Sequence, residues 1–124
     1  RTRLIACQHE RSPALALSLE RGRAVTRLPA VETLAGGLEG GIGRLPFETL
    51  RGAVDRVVLV SEREIREAVV WVLDRHQHLI EPSAAAAVAA ALSGRLGSVE
   101  FPAVVVLTGR NVGLPVLREI LSSA

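Results

Sequence analysis

Five consecutive residues, Arg56-Val57-Val58-Leu59-Val60, include three β-branched side chains, and a helix pattern begins at the next position. A run of this length suits a strand and is too short for a buried helix. Ser61 and Glu64 have the Ser-x-x-Glu spacing, in which hydroxyl and carboxylate each satisfy an orphan amide at a helix start. Ile65, Ala68, Val69, Val72, Leu73 and His76 then recur at i, i+3, i+4, i+7, i+8 and i+11, one helical stripe that places His76 half-buried. Two more apolar runs, residues 4–7 and 103–107, fit the same frame. The chain therefore reads as α/β, a partial layered sheet of at least three strands with flanking helices and at least partly parallel. In such sheets ligands bind beyond the carboxyl ends of strands. Thr108-Gly109-Arg110-Asn111, directly after the last run, is the candidate ligand turn, bringing together a hydroxyl, bare backbone and a carboxamide.

The segments between these runs are legible in outline. Ser12-Pro13 reads as a helix N-cap with proline in the first turn, and Gly22 as the stop. Residues 23–32 read as an irregular link. Residues 33–46 hold five of the eleven glycines, so a short helical start and a bend are expected there, with a further short helix opening near Pro46. Glu81-Pro82-Ser83 leads into a helix of small side chains from Ala84 to Leu92, apolar all round and hence buried on several sides. A last helix contains Leu114, Val116, Leu117, Ile120 and Leu121.

Composition removes several function classes. The chain has 124 residues, 48% hydrophobic and 23% charged, enough for one core and too apolar for disorder. No apolar run approaches the roughly 20 residues of a membrane span, and no export signal is visible, so the expectation is a cytoplasmic protein. All fifteen basic residues are arginine. Without lysine, this stretch supplies neither a Schiff-base amine nor a Walker-type phosphate loop. A net charge of +2, arginines interleaved with acids (Glu62, Arg63, Glu64, Arg66, Glu67) and a 2% aromatic content argue against nucleic-acid binding. Cys7 is the one thiol, and His76 and His78 at i, i+2 point to different helical faces, so no metal site is expected. The glycines at 36–43 complete no dinucleotide fingerprint and read as a turn-rich loop. Taken locally, Glu81 is an acid favouring a helix N-terminus, and Thr108 and Asn111 are ordinary turn residues.

The order of five stretches adds to this. QHERSPALALS (residues 8–18), TLAGGL (33–38), VVLVSERE (57–64), EPSAA (81–85) and VVVLTGRNV (104–112) resemble, in sequence and spacing, the C-terminal half of the fold-type-II pyridoxal 5′-phosphate (PLP) enzymes of the threonine/serine dehydratase and serine racemase group. The resemblance implies the C-terminal half of a tryptophan-synthase-β-like fold. It puts the family's Ser-Gly-Gly-Asn turn on Thr108, Gly109, Arg110 and Asn111, and its pocket-lining Gly and Glu on Gly37 and Glu81. The five implied cofactor-binding residues are thus Thr108, Gly109, Asn111, Gly37 and Glu81. Thr108 keeps the hydroxyl that faces the pyridine nitrogen in the family. A neutral hydroxyl does not hold that nitrogen protonated, which suits α-proton removal coupled to loss of a β-substituent.

Three positions depart from the family pattern. Gly36 stands where Asp is usual, Arg110 where Gly is usual, and Ala84 where Gly is frequent. Some members also hold a divalent cation through an acid after the first matching strand and another six residues on. Those positions are Gln8 and Ala14 here, so the cation site is not carried over. The family's Schiff-base lysine and glycine-rich phosphate loop lie upstream of the matched region. Residues 1–124 are accordingly expected to form a single incomplete domain, inactive alone and prone to self-association. The complete protein is expected to be a homo-oligomeric PLP-dependent lyase acting on a small β-hydroxy amino acid. Racemase or β-replacement activity and a non-catalytic interaction or ligand-binding module are the alternatives.

Overall fold

The computed structural model describes residues 1–122. Strands β1 (Ile5–His9) and β2 (Arg56–Val60) pair in parallel, with Ile5 opposite Arg56 and His9 opposite Val60. The long connection between them carries helix α1 (Ala14–Arg21), a 3-10 turn at Gly36–Leu38 and helix α2 (Arg44–Leu50). Helices α3 (Glu62–His76), α4 (Pro82–Leu92) and α5 (Leu114–Ser122) follow. No helix among the described residues is long and apolar enough to cross a membrane.

The strand-to-helix junction forms as its residues dictate. The Ser61 hydroxyl accepts from the Glu64 amide at 3.2 Å, and the Glu64 carboxylate accepts from the Ser61 amide at 2.7 Å. Burial pushes the Glu64 carboxyl up, but donation from Arg95 and Ser61 outweighs it and holds the group below the usual carboxylate range. Ile65, Ala68, Val69 and Val72 are buried as the stripe requires. His76 is exposed, not half-buried: the helix ends at this residue, where it leaves the core, and its ring lies tilted 4.8 Å from the ring of Trp71.

Helix α4 is the centre of the packing. Seven of its eleven residues are alanine, so its backbone approaches its neighbours closely, and it packs against α3, both strands and the 3-10 turn. The core joins it to Val58 and Val60 of β2, the α3 stripe, Ala35, Ile80 and Ile120. Its low side-chain volume replaces depth of interdigitation with proximity of backbones.

Three expectations are corrected. The α/β class and the parallel sheet stand, but among the described residues the sheet has two strands, not three. Residues 103–107 join no sheet, and Val104 and Val106 are well exposed. A β-branched run prefers strand backbone, yet a strand needs a neighbour offering amides and carbonyls. The described chain brings none to this run. Ser12 does not cap α1 either: its hydroxyl accepts from the Gly40 amide at 3.0 Å, which ties the helix entrance to the glycine-rich loop. That loop does close structural work. The Ile42 amide donates to the Val25 carbonyl at 2.8 Å, and a Cβ on Gly41 would overlap the Thr26 carbonyl.

A charged residue at the start of α3 fastens the connection to the sheet. Glu62 accepts from the Thr33 hydroxyl at 2.6 Å, the Leu34 amide at 3.0 Å and His9 Nε2 at 3.1 Å. His9 Nδ1 accepts from the Arg11 amide at 3.1 Å, so the proton resides on Nε2 and the imidazole donates to Glu62. Burial pushes the Glu62 carboxyl up, but the donors outweigh it and the group titrates below the usual range.

Two predictions follow from these contacts. Gly41→Ala should destabilise the full-length protein by about 1–3 kcal/mol through backbone overlap. Gly36→Ala, whose Cβ would meet nothing within 4 Å, should be near neutral; urea unfolding of both variants checks this. Because the folded Glu62 carboxyl is depressed, its stabilisation is full above the free glutamate value of about 4.3 and is lost as pH falls through the lower folded value. Glu62→Gln should lower the urea midpoint at neutral pH and flatten its decline in acid. An unchanged acid limb would show that the network contributes nothing.

Candidate functional site

The start of α4 gathers the residues that the sequence singles out. Glu81 precedes the helix in extended backbone, and Pro82 occupies its first turn, where the missing amide costs nothing. The Glu81 amide donates to the Gly109 carbonyl at 3.0 Å, and its Oε2 accepts from the Asn111 amide at 2.9 Å. One residue thus grips the 108–111 turn at two points. Two residues on, Ser83 Oγ accepts from the Gly37 amide at 3.0 Å. Loops some seventy residues apart in sequence are therefore held by one three-residue segment.

Both glycines are explained by this grip. A Cβ on Gly109 would lie 2.9 Å from the Glu81 carboxyl carbon, and one on Gly37 would lie 2.8 Å from Ser83 Oγ. Close approach within the chain accounts for the absence of side chains there. Neither glycine has a positive φ. Arg110 likewise lies outside the left-handed region, so an arginine stands without backbone strain where the resembled family has glycine.

The expected site residues are distributed as follows. Gly37, Glu81, Gly109 and Asn111 are joined through the α4 start, with Asn111 engaged through its backbone amide. Thr108 is next to the clamped Gly109 and exposed, and it takes no part in the hydrogen bonds that hold the turn. Glu81 is half-buried against the turn and makes no side-chain bond to the amides of its own helix. The residue that sequence reasoning passed over is Ser83. It lay inside the EPSAA stretch, but a serine in a first helical turn carries no signal for a distant glycine amide.

Two hollows lie elsewhere. One of about 1010 Å³ runs along the outer face of α3 beside Trp71, Ile120 and Leu121. Another, of about 530 Å³, is bounded by Trp71, Val88, Leu92, Val105 and Leu107. Both are mainly apolar, and neither is lined by Thr108, Gly37, Glu81 or Asn111. On this chain the candidate site is an exposed surface held rigid from beneath. Thr108 brings a neutral hydroxyl to a turn that is held at Gly109 and Asn111, and the Glu81 carboxylate beneath it accepts from the Asn111 amide. These 124 residues include no lysine side chain to bind a pyridoxal ring covalently. A divalent cation does not fit the β1–α1 turn, because Ala14 offers no donor and the Gln8 carboxamide oxygen is already bonded to two amides, of Leu15 and Ala16.

Comparison with known proteins shows the family of the chain. The family described as "Pyridoxal-phosphate dependent enzyme" matches residues 1–109, taking in Thr108 and Gly109 and stopping just before Arg110. An L-threonine ammonia-lyase of Geobacter sulfurreducens is 33% identical over 122 residues, covering 96% of this chain and 30% of the relative. Serine racemase of Mus musculus is 39% identical over 104 residues, covering 81% of this chain and 30% of the relative. In three dimensions the processed form of threonine deaminase isoform 2 from Solanum lycopersicum superposes with a TM-score of 0.86 at 27% identity, over 99% of this chain and 34% of that one. The chain spans about a third of the length of the curated relatives it matches. It belongs to the PLP-dependent enzymes, on their fold-type-II threonine dehydratase and serine racemase branch, and corresponds to the C-terminal portion of that fold.

Proposed function

We propose that residues 1–124 are one incomplete domain, the C-terminal part of a PLP-dependent ammonia-lyase of threonine/serine dehydratase type. The complete enzyme converts a β-hydroxy amino acid to a 2-oxo acid and ammonia. The observation that carries the proposal is the clamp at the α4 start, which fixes the Thr108 turn and the Gly37 turn on one framework. The family match and the ammonia-lyase relatives support it.

Bound PLP supplies the electron sink for chemistry at the amino acid's α-carbon. Thr108 presents a neutral hydroxyl to the ring nitrogen and so leaves that nitrogen without a counter-charge to keep it protonated. Glu81 would act as a support for the turn, its Oε2 accepting from the Asn111 amide. Gly37, Gly109 and Asn111 shape the floor on this side and keep it in place. The lysine and the phosphate-binding loop come from the rest of the protein. That portion would cover apolar side chains exposed here, among them Phe101, Val104, Val106 and Leu114. A cytoplasmic, homo-oligomeric complete enzyme belongs to the same proposal.

Serine racemase activity is the second reading, favoured by the 39% identity to the mouse protein. Both reactions draw on the same ring-side residues, so product analysis separates them.

Full-length protein supplied with PLP should release ammonia and a 2-oxo acid from L-threonine or L-serine, while the 124-residue chain alone turns over neither. Recovery of D-serine without oxo acid would select the racemase. Absence of both would overturn the proposal. Thr108→Ala should lower the rate about tenfold, the size of one hydrogen bond of about 1.4 kcal/mol, and Thr108→Ser should retain it. Gly109→Ala should displace the Glu81 carboxyl from the Asn111 amide and lower activity with little loss of stability, since the crowded atoms are the end of a flexible side chain.

A further inference from the structure

We propose that Gln8 is a built-in substitute for a bound cation at the β1–α1 turn, so that this protein holds the turn without any divalent ion. The first amides of a helix have no partners within it and must find them elsewhere. Each one at α1 is accounted for. The Ala14 amide donates to the Ser12 carbonyl at 3.0 Å, and the Leu17 amide donates to the Pro13 carbonyl at 3.0 Å. The two between them, Leu15 and Ala16, both donate to Gln8 Oε1, at 3.0 and 3.1 Å. Pro13 has no capping side chain, and the Ser12 hydroxyl is taken by Gly40. A side chain from the strand therefore spans the turn and caps the helix that follows.

The same bonds close the turn to a metal ion. The Gln8 oxygen accepts two amides, His9 Nδ1 accepts the Arg11 amide, and the Ser12 hydroxyl accepts the Gly40 amide. Each of these ligand-capable atoms already faces a backbone N–H. Ala14, where some members of the family place a second acid, is buried, has no side-chain ligand atom, and its carbonyl accepts from the Ser18 hydroxyl at 2.6 Å. Among the described residues no three His, Cys, Asp or Glu side chains gather to hold an ion. A cation would also face the positive end of the α1 dipole. The turn's geometry is set by the chain, not by the concentration of an ion, and this holds whichever reaction the complete enzyme performs.

The test uses the full-length, PLP-loaded protein. Thermal midpoints of wild type and Gln8→Ala are compared in EDTA and in Mg²⁺, Ca²⁺ or Mn²⁺, with amide hydrogen exchange at Leu15 and Ala16. Gln8→Ala should lower the midpoint by about 2–4 °C, equally with and without cation, and speed exchange at both amides. Gln8→Glu, which keeps an acceptor oxygen, should hold both near wild type in EDTA. A wild-type advantage that vanishes in EDTA would show that Gln8 works through an ion and would overturn the proposal. So would exchange at Leu15 and Ala16 in the wild type that slows when a cation is added, a result that needs no variant to fold.

Discussion

The near absence of side chains on α4 is the constraint from which the rest of the structure follows. With seven alanines in eleven residues, the helix presents little more than its own backbone to α3, the two strands and the 3-10 turn. Larger side chains would push these neighbours apart and move the start of the helix with them. That start carries Glu81 and Ser83, which hold two remote loops through hydrogen bonds of 2.9–3.0 Å. Positioning of the candidate site is thus a consequence of core packing. A site supported this way is more precise than one built on loops alone.

The polar groups that tie the loops down obey one rule, that an acceptor drawn in from solvent must find hydrogen-bond donors. Glu62 collects Thr33, Leu34 and His9; Gln8 collects Leu15 and Ala16; Ser12 collects Gly40; Glu81 collects Asn111. All but the Gln8 bonds join elements distant in sequence, and each side chain satisfies at least one backbone amide. Together they let a long connection with little regular structure lie in one conformation against a two-stranded sheet. Cys7 stands apart: burial raises its thiol, with Arg56 opposing, so it behaves as a half-buried packing residue and not as a nucleophile.

Where local chemistry decides structure, the residues announced it. The β2–α3 junction, the capping box of Ser61 and Glu64, the stop at Gly22 and the alanine helix depend on contacts within a few positions, and all were legible. Ser12 failed as a cap because two acceptors competed for the α1 amides, and the winner sat in the strand. His76 failed as a half-buried group because periodicity gives a direction but not the point at which a helix leaves the core. The run at 103–107 is the clearest case. Its strand preference is encoded locally, while strand formation depends on a partner that these residues do not meet within the described chain.

For the candidate site the division is similar. Residue types and their order sufficed to mark the 108–111 turn, and the resemblance of five ordered stretches indicated the family and added Gly37 and Glu81 to the residues of interest. Tertiary structure alone decided what the glycines are for, that Ser83 holds Gly37, and that Gln8 closes the β1–α1 turn. The reason is the range of the interaction. Propensity and capping act over a few residues, whereas a hydrogen bond between positions 37 and 83 exists only once packing has brought the two segments together.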